Sequence, residues 1–510
     1  MELNEQDIQR IVDAVVKNVE SAVNSKPLPS QPAPMKLKQF SMASEPAASN
    51  FTSPSYTHLP AGVFERVNEA VEAAGQAQKQ WVKDYKIEDR NRVIEAIREA
   101  VTAKAAYFAE ATLKETKIGN RADKEQKLIL AAEKTPGTEI LTTETFSGDN
   151  GLTFVEQTPY GVIGAVTPVT NPLDTIVNNG ISMLAAGNAV VFNVHPSAKN
   201  ISQEMIALLN DTVVQAGGPA HLLTMVKEPT IETVQEIANH QQVRLLVGTG
   251  GPGMVKNLLK SGKKAVGAGA GNPPVIVDET ADLKQAAKSI IEGASFDNNI
   301  LCIGEKEVFV VESVADDLLF ELMAEGAHML SPQQLDDVMK FTLKENTQGI
   351  PGGCSYLSRS YLVSKEWVGK DASAILANIG IRNVQTPLLL CETDADHPFV
   401  QLEQLMPILP VVRVQSIDEA IEKAVQAEHN NRHTAVIHSN HIGNVTAFAQ
   451  AVGTTIFVNN ASSLAGVGFH GEGFATMTIA GPTGEGITSA RTYTRQRRTV
   501  IANGGLNIRG

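Results

Sequence analysis

Residues 161–196 read GVIGAVTPVTNPLDTIVNNGISMLAAGNAVVFNVHP. Two apolar runs, GVIGAV and NAVVFNV, flank a segment, TIVNNGISMLAAG, whose apolar residues recur at helical steps and which ends on glycine. Strand, helix and strand at this spacing predict a parallel sheet covered on both faces. The pattern extends forward through a helix at 201–217 (ISQEMIALLNDTVVQAG) and a strand at 243–248 (VRLLVG). Upstream, from about residue 61, helical periodicity dominates: GVFERVNEAVEAAGQAQKQW, then EDRNRVIEAIREAVTAKAAYFAEATLKET, then ADKEQKLILAAEK. A strand-like excursion at about 138–158 interrupts it. Beyond residue 275 a second series begins, with PVIVD, KEVFVVES, PLLLCE, PVVRVQS, TAVIHS and TIFVN as strands separated by helices such as SIDEAIEKAVQAEH. The expected fold class is α/β, with two parallel-sheet domains meeting near residue 275.

The first 58 residues differ in kind. In 1–24, Asn4 can cap a helix on which Ile8, Ile11, Val12, Val15, Val19 and Val23 form an apolar stripe opposite Gln9, Arg10, Asp13, Lys17 and Glu20. Residues 25–58 are rich in Pro, Ser and Ala without a period and read as a flexible linker. A helix on such a tether either folds back on the body or docks in a partner's groove.

With 510 residues, 43% of them hydrophobic, the chain can bury large cores. Its apolar stretches are too short and too interrupted to cross a bilayer, and no charged-then-apolar leader opens it, so a cytoplasmic protein is expected. A net charge of -13 argues against nucleic-acid binding. The one basic cluster, RTYTRQRR at 491–498, reads as a strand edge or subunit contact. Three cysteines, Cys302, Cys354 and Cys391, are too few and too scattered for a disulfide framework or a zinc knot.

Chemistry is concentrated in FDNNILCIGEKE, 296–307. Cys302 follows Asp297, Asn298 and Asn299, a turn with exposed backbone amides, and precedes a strand; it is either a small buried hydrophobe or a reachable thiol. Gly248-Thr249-Gly250-Gly251-Pro252-Gly253 lies between the strand RLLV and the helix MVKNLLKSG, with the GxGxxG spacing that lets backbone amides approach a pyrophosphate. It comes late in the strand series and lacks the usual acidic partner about twenty residues on, so a packing turn is an equal reading. Gly267-Ala268-Gly269-Ala270-Gly271 brings close-approaching backbone to the domain boundary. His429, His433, His438 and His441 do not share one face, and no metal site is expected.

Taken together, TPVTNP (167–172), AAGNAVVFNVHPSAK (185–199), LLVGTGGPG (245–253), SFDNNILCIGEKE (295–307), EQLMPILPVV (403–412) and TGEGITSARTYTRQRR (483–498) resemble the aldehyde dehydrogenases, specifically the coenzyme A-acylating propionaldehyde and acetaldehyde dehydrogenases of bacterial microcompartments. The resemblance implies two Rossmann-like domains: 59–275 for the cofactor and 276–480 for the catalytic thiol. The 138–158 excursion and the 481–510 segment would form an oligomerisation element, giving a dimer or tetramer. It implies Cys302 as nucleophile, Thr170 and Asn171 at the oxyanion, Gly248 and Gly253 under a pyrophosphate, and Glu403 on the nicotinamide ribose. Thr167, Pro168, Asn193, His195, Pro196, Thr249, Ala268 and Gly269 would also line the cofactor. NAD and coenzyme A are the implied cofactors, a short aliphatic aldehyde the substrate, the microcompartment lumen the location, and a shell protein the partner of residues 1–20.

Three departures matter. Ala268-Gly269-Ala270-Gly271 replaces the Glu-Leu-Gly-Gly whose glutamate activates water in hydrolytic relatives; such a base is worth about 10²- to 10⁴-fold, so the acyl group should await a thiol. Asn193 stands where those relatives carry a ribose-binding lysine, and with no Arg or Lys nearby to meet a 2′-phosphate, NAD is expected over NADP. Leu301 replaces a proline frequent before the cysteine. A hydrolytic dehydrogenase and an inactive shell-associated scaffold are the rival readings. Deleting residues 1–20 is expected to leave activity intact and abolish packaging; co-sedimentation of the truncated protein with shells would refute this.

Overall fold

The computed structural model of the chain describes residues 59–508, apart from 350–352 and 358. The expected helix at 1–24 and linker at 25–58 lie outside the described residues.

Two sheets dominate, as the alternating pattern requires. The first has six parallel strands in the order Val63–Phe64, Leu223–Val226, Ala189–Asn193, Val162–Val166, Val243–Thr249, Lys264–Ala268. The second has seven, ordered His328–Met329, Leu389–Glu392, Ile408–Val414, Glu307–Val311, Pro274–Val277, Thr434–His438, Ile456–Asn459, again all parallel. Strands such as AVVFN and EVFVV are buried at every position, the continuous apolar reading of a sheet covered on both faces. Lys264–Ala268 closes the first sheet and Pro274–Val277 opens the middle of the second, so the chain crosses between them just before residue 274.

The helix Pro172–Ala185 is buried along its whole length, so its polar residues must find partners inside. Asn178 accepts from the Met477 amide at 3.0 Å, and Asn179 accepts from the Thr478 hydroxyl at 3.2 Å. These bonds stitch in the segment by which the chain returns to the first sheet's helices. Ile479 still packs in the second sheet's core, whereas Ala480 belongs to the first. Thr494–Ile501 then pairs antiparallel with Gly151–Pro159, which pairs with Glu144–Gly148, so the excursion and the C-terminal segment build a separate three-stranded sheet.

Three local readings change. Val63–Phe64, expected as helix, is an edge strand paired with Met225 and Val226, and the helix starts at Val67. The long periodic run after residue 87 breaks at Lys104 into Ile87–Ala103 and Ala105–Thr116. Val101, Ala105 and Phe108 stay buried across the break, so the apolar period continues through it and cannot reveal it. A small antiparallel sheet of Leu343–Glu345, Arg359–Val363 and Cys354–Tyr356 is an addition that the apolar pattern did not signal.

Gly151 begins the central strand of the three-stranded sheet completed by Thr494–Ile501, at φ +122, and a Cβ there would lie 2.0 Å from the Ile501 carbonyl oxygen. Gly151→Val is expected to lower stability by about 1–3 kcal/mol, whereas Gly148→Ala, with open space around its Cβ, should stay within about 0.5 kcal/mol. Denaturant midpoints of the two variants check this.

Candidate functional site

Asp297, Asn298 and Asn299 all adopt left-handed backbone, with φ of 47, 56 and 62. Asn and Asp tolerate this region better than other side-chain-bearing residues, but three in a row persist only if surrounding groups hold them. Asp297 accepts from the Asn120 amide at 2.7 Å and gives its own amide to Asp123 at 2.7 Å. Lys124 and Lys127 reach its other oxygen at 3.1 and 2.6 Å. Asn298 donates to the Gly369 carbonyl and the Asp371 carboxylate. Asn299 donates to the Ala294 and Glu305 carbonyls. The turn is thus present as predicted but not exposed: Asp297 and Asn299 are fully buried, because partners remote in the chain consume them.

Behind the turn, the Lys306 ammonium donates to the Leu301 carbonyl at 2.8 Å and to both the carbonyl and side-chain oxygens of Asn299. Burial pulls its pKa down to about 8. Glu305, pushed up to about 7 by burial, accepts from the Ser463 amide and hydroxyl at 2.8 and 2.7 Å, tying the turn to the 463–467 loop.

The product of this scaffolding is a half-buried Cys302 at the wall of a pocket. Leu301, Ile303, Val467, Phe469, Met477 and Ile479 make most of the lining apolar, while Asn171, Lys127 and Thr476 supply the polar groups. Asn171 caps the buried helix Pro172–Ala185 and offers a side-chain amide whose oxygen accepts from Lys127 at 2.6 Å. Thr170 is not part of the lining and joins it only through Asn171, at 3.3 Å. Burial, then the Glu403 carboxylate, push the Cys302 thiol up to about 12, against the opposing pull of Lys306 and Lys127. Glu403 accepts from the Gly271 amide at 3.2 Å, and burial raises it to about 7. Gly271 passes beneath Cys302: a Cβ there would lie 2.4 Å from the Cys302 carbonyl oxygen and 2.9 Å from the His433 ring.

The remaining expected residues lie at the carboxyl ends of first-sheet strands or on the turns that follow them, where α/β sheets hold ligands. Gly251 caps the helix Pro252–Leu259 without a side-chain hydrogen bond. Neither Gly251 nor Gly253 has any atom within 4 Å of a Cβ position, leaving an open cradle at a helix N-terminus that fits a pyrophosphate. Gly248 has a different reason to be glycine, since its Cβ would meet Leu258 at 2.4 Å. The Thr249 and Thr478 hydroxyls share a hydrogen bond at 2.9 Å. Thr167 is buried with an unpartnered hydroxyl, and Pro168 is half-buried beside it. Ala268 is buried and its carbonyl accepts from Gly250 at 3.1 Å, so no carboxylate occupies that position; Gly269 packs on Pro482.

One expectation at the adenosine end needs correction, the absence of a nearby Arg or Lys. Asn193 is buried and spends its amide on Thr233, at 2.6 Å, and on the Thr230 carbonyl, anchoring the helix Ile231–Asn239. A lysine does stand near: His195, followed by Pro196 at an exposed turn, is lowered in pKa by partial burial and by the Lys365 ammonium. Lys365 lies far along the chain, so adjacent sequence could not place it.

The sequence reading missed Lys127, Lys306 and the proximity of His433. The signal for the first was available. Lys124 and Lys127 lie one turn apart, on the same side of the helix Arg121–Lys134 as the buried Leu128 and Ala131, and a lysine on an apolar face needs a buried counter-ion.

These features define a class: two parallel sheets with a cysteine pocket at their seam and an open glycine cradle on the first. The description "Aldehyde dehydrogenase family" matches residues 42–474. The acetylating acetaldehyde dehydrogenase EutE of Salmonella typhimurium is 45% identical over 504 residues, 98% of this chain and 99% of its own. A Rhodopseudomonas palustris propionaldehyde dehydrogenase, solved with bound CoA and an acylated cysteine, matches with a TM-score of 0.83 and 46% identity over 88% of this chain and 99% of that one. The propionaldehyde dehydrogenase of the Clostridium phytofermentans fucose utilisation bacterial microcompartment gives a TM-score of 0.82 and 44% identity over 88% and 100%. The chain belongs to the aldehyde dehydrogenase family.

Because the free pocket favours the protonated thiol, alkylation of Cys302 by iodoacetamide is expected to keep accelerating above pH 9 instead of levelling near the usual thiol range of about 8.5. Glu403→Gln removes a negative neighbour and should lower the thiol pKa, speeding alkylation at pH 8. Peptide mass spectrometry over a pH series reads both; a plateau below pH 8 in the unsubstituted protein would contradict the assignment.

Proposed function

We propose that this protein oxidises a short aliphatic aldehyde, propionaldehyde by preference, to its acyl-CoA. The observation that carries the reading is a mostly apolar pocket in which Cys302 and Asn171 meet, with Ala268 where a hydrolytic relative would place its base. The apolar lining suits a short alkyl chain, and the relatives named for acetaldehyde and propionaldehyde act on substrates of that size.

Glu403, near 7, exchanges protons around neutral pH. When it takes the thiol proton, its charge vanishes and the Cys302 thiolate loses its largest neighbouring opponent. Sulfur adds to the aldehyde carbon, and the carbonyl electrons move to oxygen. The Asn171 amide, the Cys302 backbone amide and the N-terminus of the helix Pro172–Ala185 are the donors for that oxyanion. NAD, when bound with its pyrophosphate at Gly251–Gly253 and its ribose at Glu403, supplies the hydride acceptor. The residue left on Cys302 is a thioester. With no carboxylate at position 268 to activate water, the acyl group passes to the thiol of coenzyme A and the Cys302 sulfur is released.

Residues 1–20 are proposed to dock on a microcompartment shell protein, which places the enzyme in the lumen. The sheet of Glu144–Gly148, Gly151–Pro159 and Thr494–Ile501, with Phe146 and Val500 exposed on it, is proposed to join subunits into a dimer or tetramer. Among the described residues no helix is long and apolar enough to cross a membrane.

With propionaldehyde and NAD, steady NADH formation is expected only when coenzyme A is present, with propionyl-CoA as product. Cys302→Ala should lower the rate by about 10³-fold or more. Undiminished turnover without coenzyme A, yielding propionate, would assign the hydrolytic reaction instead; an unchanged rate in Cys302→Ala would remove the thiol from the mechanism.

A further inference from the structure

Lys127 is 1% exposed, yet its ammonium reaches three groups with different duties. It lies 2.6 Å from Asn171 Oδ1, 2.6 Å from Asp297 Oδ2 and 3.8 Å from Asp174 Oδ2, and it lines the pocket with Cys302. Asp297 begins the left-handed turn that leads to Cys302, and Asn171 faces the pocket from the buried helix's N-terminus. An ammonium has donors only, whereas a side-chain amide presents either an oxygen or an NH₂. With the oxygen engaged by Lys127, flipping the Asn171 amide would set NH₂ against NH₃⁺. Nδ2 donates one hydrogen to the Thr170 hydroxyl at 3.3 Å, and its second N–H is the donor left for an oxyanion. Burial works against the ammonium, but Asp297 and Asp174 outweigh it and keep Lys127 charged.

We infer that Lys127 is a positioning residue for the first half-reaction: it fixes the Asn171 amide with its N–H toward the developing oxyanion and ties that donor to the turn bearing Cys302. The inference rests on the reading of Asn171 as an oxyanion donor. The rival is a purely structural ion pair between the helix Arg121–Lys134 and Asp297.

The test uses the full chain, mixed rapidly with propionaldehyde and NAD while the first turnover of NADH is followed, for Lys127→Met, Lys127→Arg, Asn171→Ala and the double variant Lys127→Met/Asn171→Ala, each verified as folded by circular dichroism. Lys127→Met and Asn171→Ala are each expected to slow the burst by about 10²-fold with the propionaldehyde KM within about threefold. The double variant should be no more than about threefold slower than either single one, since both remove the same donor. Lys127→Arg, which restores the cation, should recover about tenfold or more. If Lys127→Met does not fold, Lys127→Gln is read against the same thresholds. A normal burst in the Lys127 variant beside a slow Asn171→Ala overturns the inference alone, as do losses that multiply in the double variant or an Arg variant without recovery. A normal burst in Asn171→Ala overturns the oxyanion reading itself.

Discussion

Asp297 is the carboxylate around which the site is built. It is fully buried, and an isolated charge there would be prohibitively costly. Two lysines meet it from one helix, and Asp174 adds a second carboxylate, so four buried charges sum to zero. The lysines respond differently. Burial and the neighbouring Lys127 lower Lys124; Lys127, also opposed by burial, is raised by Asp297, which it approaches more closely, and by Asp174 at 3.8 Å. Breaking such a cluster on one side is far more damaging than its net contribution suggests, since the survivor keeps its desolvation cost. The cluster thus contributes less to net stability than to geometry. It pins a turn that would otherwise relax, and Gly119 shows how tightly: a Cβ there would lie 2.0 Å from Asp297 Oδ1.

Around Cys302 the same low-dielectric setting works against ionisation. A thiol this sheltered stays protonated, and Glu403 reinforces that by its charge. Glu403 and Lys306 act on the thiol with opposite sign, the carboxylate disfavouring the thiolate and the ammonium favouring it. Lys306 faces both and is anchored to carbonyls of the turn, so it supplies a fixed positive field without itself approaching the substrate pocket. The same neighbours thus set how readily the thiol gives up its proton.

How far the sequence could reach follows from what each signal is made of. Both sheets were legible because continuous apolar strands alternating with amphipathic helices have few other solutions, and Cys302 was legible because turn residues and a strand bracket it. The glycine loop was legible only as a pattern. Its members differ in purpose: Gly248 permits helix packing, while Gly251 and Gly253 leave open space. Burial of the Asp297 turn was not legible, since its partners at 119–127 and 369–371 are remote in the chain. The same holds for Lys365 beside His195. Nor could adjacent sequence show that the Asn193 side chain bonds to Thr230 and Thr233.

The missing base is the feature with the widest reach, and it is more than one absent carboxylate. Ala268 ends a buried strand whose carbonyl already serves the glycine loop, and three residues later Gly271 runs beneath Cys302 with no room for a side chain. The backbone between them is therefore shaped by contacts to Gly250, Pro482, Glu403 and Cys302 itself. Restoring a glutamate at 268 would demand space from a strand whose neighbours are closed around it. The absence of a carboxylate at position 268 is then a property of how the chain passes from the first sheet to the second, where a buried strand end and a close-approaching glycine leave that position no room for one.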